Sequence, residues 1–499
     1  MAVKEKIFSM WFVITVSLLI IFRLALFIYF VVSGGQYIHP DSALYLELAS
    51  QLIETGEFFL PKNQPIEITP FGILSENSGR VLQSMPPLGP EVFRTPGYSF
   101  FLVFLHWFGI NNPYAIVFVQ ELIYGLSVVI FYRYGQGLFN KNLLRIGVIF
   151  MLFSSGGLVW PKFLVSEALF LPFLLAGVLC IGHYLKKPDG RLLVIAGVVM
   201  GLGAWVRPAI QYFPLIAAVA IIIFDIKNRK KWLHSNAMLL AFILVISPWL
   251  ARNYYHYGQI YVSGQASNMI AHYHVPMVWN WENIIPYYEG QALAQKKVAE
   301  AVQQKEQQIG QSLDAVEFFK LQQQWALKEL SQYPLTYATH WLIGSYKTMY
   351  ESYAIDLFDA LRIADRRLSF SDVLSGKAAS GQSGFFDIKV TGLASGLIYY
   401  LLHQDRFYLM HTVLSYLVFI FALFGILAIV LKRDCFFWIM MLANFYFTFI
   451  PGPMGYGRFR FPVDVFWFTQ ALIGYYWLAS LSKKFLDLIK SPKTGDFTI

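Results

Sequence analysis

Residues 7–33 read IFSMWFVITVSLLIIFRLALFIYFVVS, and after the short connection 34–38 residues 39–49 read HPDSALYLELA. The first stretch exceeds the roughly 20 apolar residues needed to cross a hydrocarbon core. It is too long for the apolar segment of a signal peptide and no small-residue cleavage site ends it, so it is expected to remain as a helix. Lys4 and Lys6 precede it, which puts the N-terminus inside and the chain from Gly34 onward outside. Asp41 then lies at the outer membrane–water boundary, where a carboxylate requires a reason. In a helix that starts at Asp41, Tyr45 and Ala49 share its face, while Leu44, Leu48 and Leu52 form an apolar stripe, the pattern of a helix lying on a bilayer surface. Asp is also a favoured N-cap, so a capping role and a functional one both stand on this stretch alone.

The whole chain agrees with a membrane reading. Of its 499 residues 57% are hydrophobic and 14% charged, against about 25% charged in soluble proteins. This is the composition of an all-α polytopic membrane protein. The net charge of +9 does not indicate nucleic acid, because the basic residues fall in short clusters between hydrophobic runs. Cys180 and Cys435 lie near expected inner ends of spans, so neither a disulfide framework nor a cysteine metal site is indicated. No internal repeat is visible, which weighs against transporters built from repeated halves.

Ten spans are expected, at 7–33, 113–134, 143–160, 163–185, 191–206, 208–226, 236–251, 411–431, 434–450 and 461–481. Thr95-Pro96-Gly97 starts a further helix that ends near residue 109, too short to cross and read as lying on the outer surface. The domain division is an N-terminal membrane region 1–251 with a first outer loop 34–112 that holds the chemistry, an external domain 252–410, and a C-terminal membrane region 411–499. The external domain is expected to carry a Gln-rich helical stretch from Gln291 to Gln332 and a Ser/Gly-rich loop from Ser369 to Ser383. Its Trp279, Trp281 and Tyr287 suit a core better than sugar stacking.

Most basic residues at span ends lie inside, so the exceptions carry information. Arg94, Arg207, Arg252, Arg458 and Arg460 fall at outer ends, and Lys162 lies between two spans on that side. One such Arg reads as a snorkelling side chain. Several at one face suit an anionic ligand, since guanidinium pairs with phosphate oxygens in a fork and keeps its charge. Two acids share the side, Asp41 and Glu167; each reads alternatively as a helix-start acid favoured by the dipole. Arg23 and Glu121, inside spans, should face protein, with Glu121 paired to a cation. His39, His272 and His274 show no metal-ligand spacing and suit surface or aromatic-cluster roles. If Arg458-Phe459-Arg460 is extended, both guanidiniums point one way.

Taken in order, Pro40-Asp41 with Tyr45-Leu46, Arg94-Thr95-Pro96-Gly97-Tyr98, Ser166-Glu167, Arg207-Pro208, Pro248-Trp249 with Arg252-Asn253-Tyr254, and Tyr456-Gly457-Arg458-Phe459-Arg460-Phe461-Pro462 resemble the GT-C membrane glycosyltransferases. The similar branch is the one containing the aminoarabinose transferase of lipid A and the protein O-mannosyltransferases. The resemblance implies inverting transfer of a sugar from a polyprenyl-phosphate donor to a lipid, glycan or protein acceptor, at the outer face of a prokaryotic inner membrane. It implies Asp41 as catalytic base, Glu167 as the second acid, and Arg94, Arg207, Arg458 and Arg460 around the donor phosphate. Tyr45, Arg252, Tyr456 and Lys162 are further site candidates. A divalent metal held by Asp41 and Glu167 is an open cofactor question. Leu44 departs from relatives that carry Arg there.

The chemistry agrees. A lipid phosphate leaving an anomeric carbon calls for one base on the acceptor hydroxyl and cations on the developing phosphate charge. No nucleotide-binding glycine loop is visible, which fits a lipid-linked donor. Two other readings compete. A surface-polysaccharide polymerase or ligase would not need both acids, and a lipid transporter would put its charges near the bilayer midplane.

Overall fold

A computed structural model of the chain describes residues 2–60, 68–69, 72–73, 89–351, 353–361 and 406–490. The loop expected at Ser369–Ser383 lies outside the described residues. The fold is all-α, with nineteen helices among the described residues: α1 Ala2–Val32, α2 Ser42–Thr55, α3 Gly97–Trp107, α4 Pro113–Gly135, α5 Lys141–Phe153, α6 Ser155–Val159, α7 Glu167–Lys186, α8 Gly190–Val206, α9 Phe213–Ile223, α10 Arg229–Tyr257, α11 Gln265–Met269, α12 Val275–Trp281, α13 Tyr287–Ile309, α14 Ala315–Leu330, α15 Pro334–Tyr350, α16 Ala354–Leu361, α17 Arg406–Lys432, α18 Cys435–Phe449 and α19 Asp464–Lys490. Two antiparallel pairs of two-residue strands complete it, β1 Phe59–Leu60 with β4 Gly89–Pro90 and β2 Ile68–Thr69 with β3 Gly72–Ile73.

Helices stand at all ten positions expected for spans. Among the described residues five are long and apolar enough to cross by themselves: Ser9–Val32, Pro113–Gly135, Glu167–Lys186, Arg229–Tyr257 and Val413–Lys432. The run expected as one span at 143–160 is instead broken after Phe153 and bent by 45°. Ser154 caps the second piece, its hydroxyl accepting from Gly157 N at 3.2 Å. A break inside a bundle frees carbonyls that water cannot reach. Here cations take them. Arg23 of α1 donates to the carbonyls of Leu152 (3.2 Å) and Gly157 (2.8 Å), and Lys162 Nζ donates to Leu158 O at 2.7 Å. Glu121 of α4 neutralises both, through Arg23 and through Lys162 at 2.8 Å. The acid expected to face protein thus pins the break, and Lys162 serves it rather than standing with the arginines.

α2 does not lie on a lipid surface. Residues 42–50 are all buried, and the helix is a wedge between two cores. Ala43, Tyr45, Leu46 and Ala49 join the core of the bundle, whereas Leu44 and Leu48 join a second one, with Val92, Phe93 and side chains of α12 to α14. The stripe that resembled a lipid-facing one is a protein-facing one, worth about 1.5–3 kcal/mol per buried Leu. Gly56, at φ 74°, ends the helix by donating to Leu52 O.

The second core is built by α11 to α15. The Gln-rich stretch is helical and forms two helices: Gly310 takes φ 71° after α13, and Asp314 and Glu317 form a capping box that starts α14. Trp279 and Tyr287 are buried in this unit, Trp279 edge-on to Trp325 at 6.2 Å, while the partly exposed Trp281 meets His340. α15 carries the bundle's last loop on its side. A Cβ on Gly344 would collide with the backbone of Gly452 and Pro453, and His274 Nε2 donates to Pro451 O at 3.2 Å.

Candidate active site

The site forms beyond the end of α1, at the start of α7 and at the end of α8. Asp41 is the residue before α2 and has helical dihedrals, but its side chain makes no cap hydrogen bond. Its two oxygens go elsewhere. Oδ1 accepts from Arg94 Nη2 at 2.6 Å and Oδ2 from Arg458 Nη1 at 2.5 Å. The capping reading fails for a physical reason: a guanidinium on each oxygen outcompetes a neutral backbone N–H.

Each arginine is placed by its own segment. Glu91 Oε1 accepts from the backbone N–H groups of Phe93 and, at 2.8 Å, of Arg94, so the residues ahead of α3 are held in a tight turn. α3 then packs so closely on the end of α8 that a Cβ on Gly97 would lie 2.7 Å from Trp205 O, which brings Arg94 and Arg207 to one place. Arg458 sits in a 3-10 turn, Gly457–Phe459, and a second turn, Phe461–Val463, follows. The segment is therefore not extended and the two arginines diverge. Arg458 bridges Asp41 and Glu167, while Arg460 turns back to Asp464 (2.6 Å), Thr348 O (3.1 Å), Met349 O and Glu351 O (3.0 Å).

Glu167, the first residue of α7, is fully buried and its Oε1 meets both Arg458 and Arg207. Tyr45 completes the cluster: its ring lies under Arg94 at 4.9 Å, and its hydroxyl donates to Ser166 Oγ at 3.2 Å. Asp41, Arg94, Arg207, Arg458, Glu167 and Tyr45 thus converge. Four others do not, Arg460 with its contacts to Asp464 and Thr348 O being the first. Arg252 donates to Glu91 O (2.6 Å) and Phe58 O (3.0 Å), tying α10 to the β1–β4 pair; Tyr456 donates to Asp356 at 2.5 Å; and Lys162 is on Glu121.

Two neighbours escape a reading of the sequence. His39 packs edge-on to Trp160 (6.1 Å) and Phe163 (5.7 Å), as an aromatic-cluster residue would, yet its Nδ1 also accepts from the Asp41 N–H at 3.3 Å and faces Arg458. Burial, and then Arg458, lower its pKa to about 4, so the ring is neutral near pH 7. Trp160 lies 5.4 Å beneath the Arg458 guanidinium. The signal for His39 was its place two residues before the acid; Trp160 gave none.

Burial alone would raise the Asp41 carboxyl, but Arg94 and Arg458 outweigh it and hold the group well below the usual carboxylate range. Three guanidiniums against two carboxylates leave one positive charge, so the cluster suits an anion. Arg94 Nε and Glu167 Oε2 are buried without a hydrogen-bond partner. In this cluster Glu167 Oε2 is the one carboxylate oxygen without a hydrogen-bond partner. Both Asp41 oxygens and one of Glu167 already carry guanidiniums, and no three His, Cys, Asp or Glu side chains converge among the described residues. Exposure separates the two acids: the Asp41 side chain is 28% accessible and that of Glu167 0%, so only Asp41 is open to a substrate.

One stretch of the chain matches a known family. Residues 94–251, which include Arg94, Glu167 and Arg207, match the family described as dolichyl-phosphate-mannose-protein mannosyltransferase. Among solved structures the chain is similar to the archaeal oligosaccharyltransferase AglB from Archaeoglobus fulgidus in complex with an inhibitory peptide and a dolichol-phosphate, with TM-score 0.44 and 13% identity over 96% of this chain and 53% of that one. The apo form of the Archaeoglobus fulgidus oligosaccharyltransferase gives TM-score 0.44 and 14% identity over 95% and 52%. The chain spans about half the length of these enzymes. No curated protein matches it.

Proposed function

We propose that the protein transfers a sugar from a polyprenyl-phosphate-linked donor to an acceptor hydroxyl at the outer face of the membrane, with inversion. The observation that carries this reading is the net-positive knot of Arg94, Arg207 and Arg458 around one reachable acid, Asp41, just beyond the first membrane helix. In this reading the Asp41 carboxylate takes the acceptor proton as the acceptor oxygen attacks the anomeric carbon. The bond from that carbon to the phosphate oxygen breaks, and the guanidiniums hold the charge that collects on the departing phosphate. Glu167, buried between Arg458 and Arg207, orients both rather than touching substrate. The sidedness rests on the other ends of the helices, where Lys186, Lys227, Arg229, Lys432 and Lys483 gather as inner residues do. The unit built by α11 to α15, on the site side, would then meet the acceptor.

Donor class is the first thing to test. Purified protein in liposomes, given an acceptor extract and labelled sugars carried on either a polyprenyl phosphate or a nucleotide, is expected to use only the lipid-linked form. Transfer from nucleotide sugar in lipid-carrier-free liposomes would overturn the proposal.

A further inference from the structure

The acid proposed as base is bound on both oxygens, and by the same cations that are to hold the donor phosphate. Arg94 Nη2 and Arg458 Nη1 each spend a donor on Asp41 at 2.6 and 2.5 Å. A carboxylate so held is a poor proton acceptor. A phosphate diester offers the same planar recognition to a guanidinium and brings the negative charge that the cluster lacks. The groups that face Asp41 are His39 on its own segment, Tyr45 on α2, Arg94 ahead of α3, Arg458 with Glu167 and Arg207 behind it, and Tyr273 from the π turn Ile270–His274. None but the two arginines makes an ion pair with both charge and hydrogen bond to Asp41, so what removes them from the carboxylate also frees it.

We propose that the donor phosphate and the Asp41 carboxylate occupy the Arg94–Arg458 fork in alternation, so that arrival of the donor releases Asp41 to act as base. This rests on the donor reading above and adds an order to it: an acceptor that arrives first meets a blocked acid. Glu167 makes the exchange workable. It keeps Arg458 and Arg207 in place through Oε1 when Asp41 lets go, and the partnerless Arg94 Nε gives that side chain a further donor for the anion.

The exchange has a signature that a simple base would not show. A base that does not compete with the donor acts on its affinity only through charge at a distance, which high salt screens, whereas a competitor in direct contact weakens it at high salt too, by the fraction of time that the fork is closed. The probe is decaprenyl methyl phosphate, a diester that keeps one charge across the working pH range, titrated into the purified protein in detergent at high salt. Asp41→Asn is expected to bind it roughly tenfold more tightly than wild type. A second arm uses wild type alone. The freed carboxyl binds protons more readily than the held one, so binding strengthens as pH falls, by roughly threefold from pH 7.5 to pH 5, a range in which His39 stays neutral. In Asp41→Asn that dependence disappears, although Glu47, raised to about 7 by burial and then by Glu91, is still present to titrate. Equal or weaker binding by a folded Asp41→Asn protein, or a wild-type affinity that is level in pH, overturns the alternation and leaves the donor reading standing. Failure of wild type to bind the diester at all removes both.

Discussion

Asp41 carries the chemistry because of what surrounds it, and its surroundings predict its pH behaviour. With Arg94 and Arg458 on the carboxylate, the free protein holds it ionised below the ordinary carboxyl range near 3.9. A base must be ionised to work, so a lowered value preserves activity as pH falls. In this account kcat/KM for the donor stays level from pH 7 down to about pH 5, while kcat, which reports the donor complex with its freed acid, begins to drop on acidification at a higher pH than kcat/KM does. A kcat/KM profile that drops between pH 7 and pH 6 would mean that the arginines do not hold the acid. At this scale the sequence was legible where a charge broke a rule of placement: Asp41, Glu167, Arg94, Arg207 and Arg458 all stood out at span ends. It was not legible where a turn decided direction. Arg458 and Arg460 look equivalent two residues apart, and only the 3-10 turns send one to Asp41 and the other to Asp464.

The element that ties the site to the rest is α2. Periodicity placed it, since Leu44, Leu48 and Leu52 recur at helical spacing, but the same stripe fits lipid and protein alike, and only the tertiary contacts with Val92, Phe93 and α12 to α14 resolve the two. The difference is measurable. Leu48→Ala removes a fully buried side chain and is expected to cost about 2–5 kcal/mol, read as loss of denaturant stability in detergent. A helix resting on lipid would lose far less, so a change under about 0.5 kcal/mol would return α2 to the membrane surface. The broken segment after Phe153 was hidden for a related reason. Hydropathy averages over Ser154, Gly156 and Gly157, while the break depends on carbonyls taken by Arg23 from α1 and by Lys162 at the end of the second piece.

For the whole molecule, the proposal gives each end of the bundle a side. It puts Gly310, between α13 and α14, on the site side, and Asn228, before α10, on the opposite one. With Cys180 and Cys435 replaced, a cysteine at position 310 is expected to react in intact cells with a membrane-impermeant maleimide, and a cysteine at 228 only after permeabilisation. The reverse pattern would place the site inside. The domain division 1–251, 252–410 and 411–499 carries the same proposal, with the middle part outside. The central claim is that one acid in an arginine knot moves a lipid-linked sugar. Its most direct test is a single-turnover transfer from a polyprenyl-phosphate sugar by wild type and by Asp41→Asn of matched thermal stability. The account predicts a loss of about 10²–10⁴-fold in the variant, with the labelled donor still bound. Transfer by the variant at the wild-type rate would contradict it.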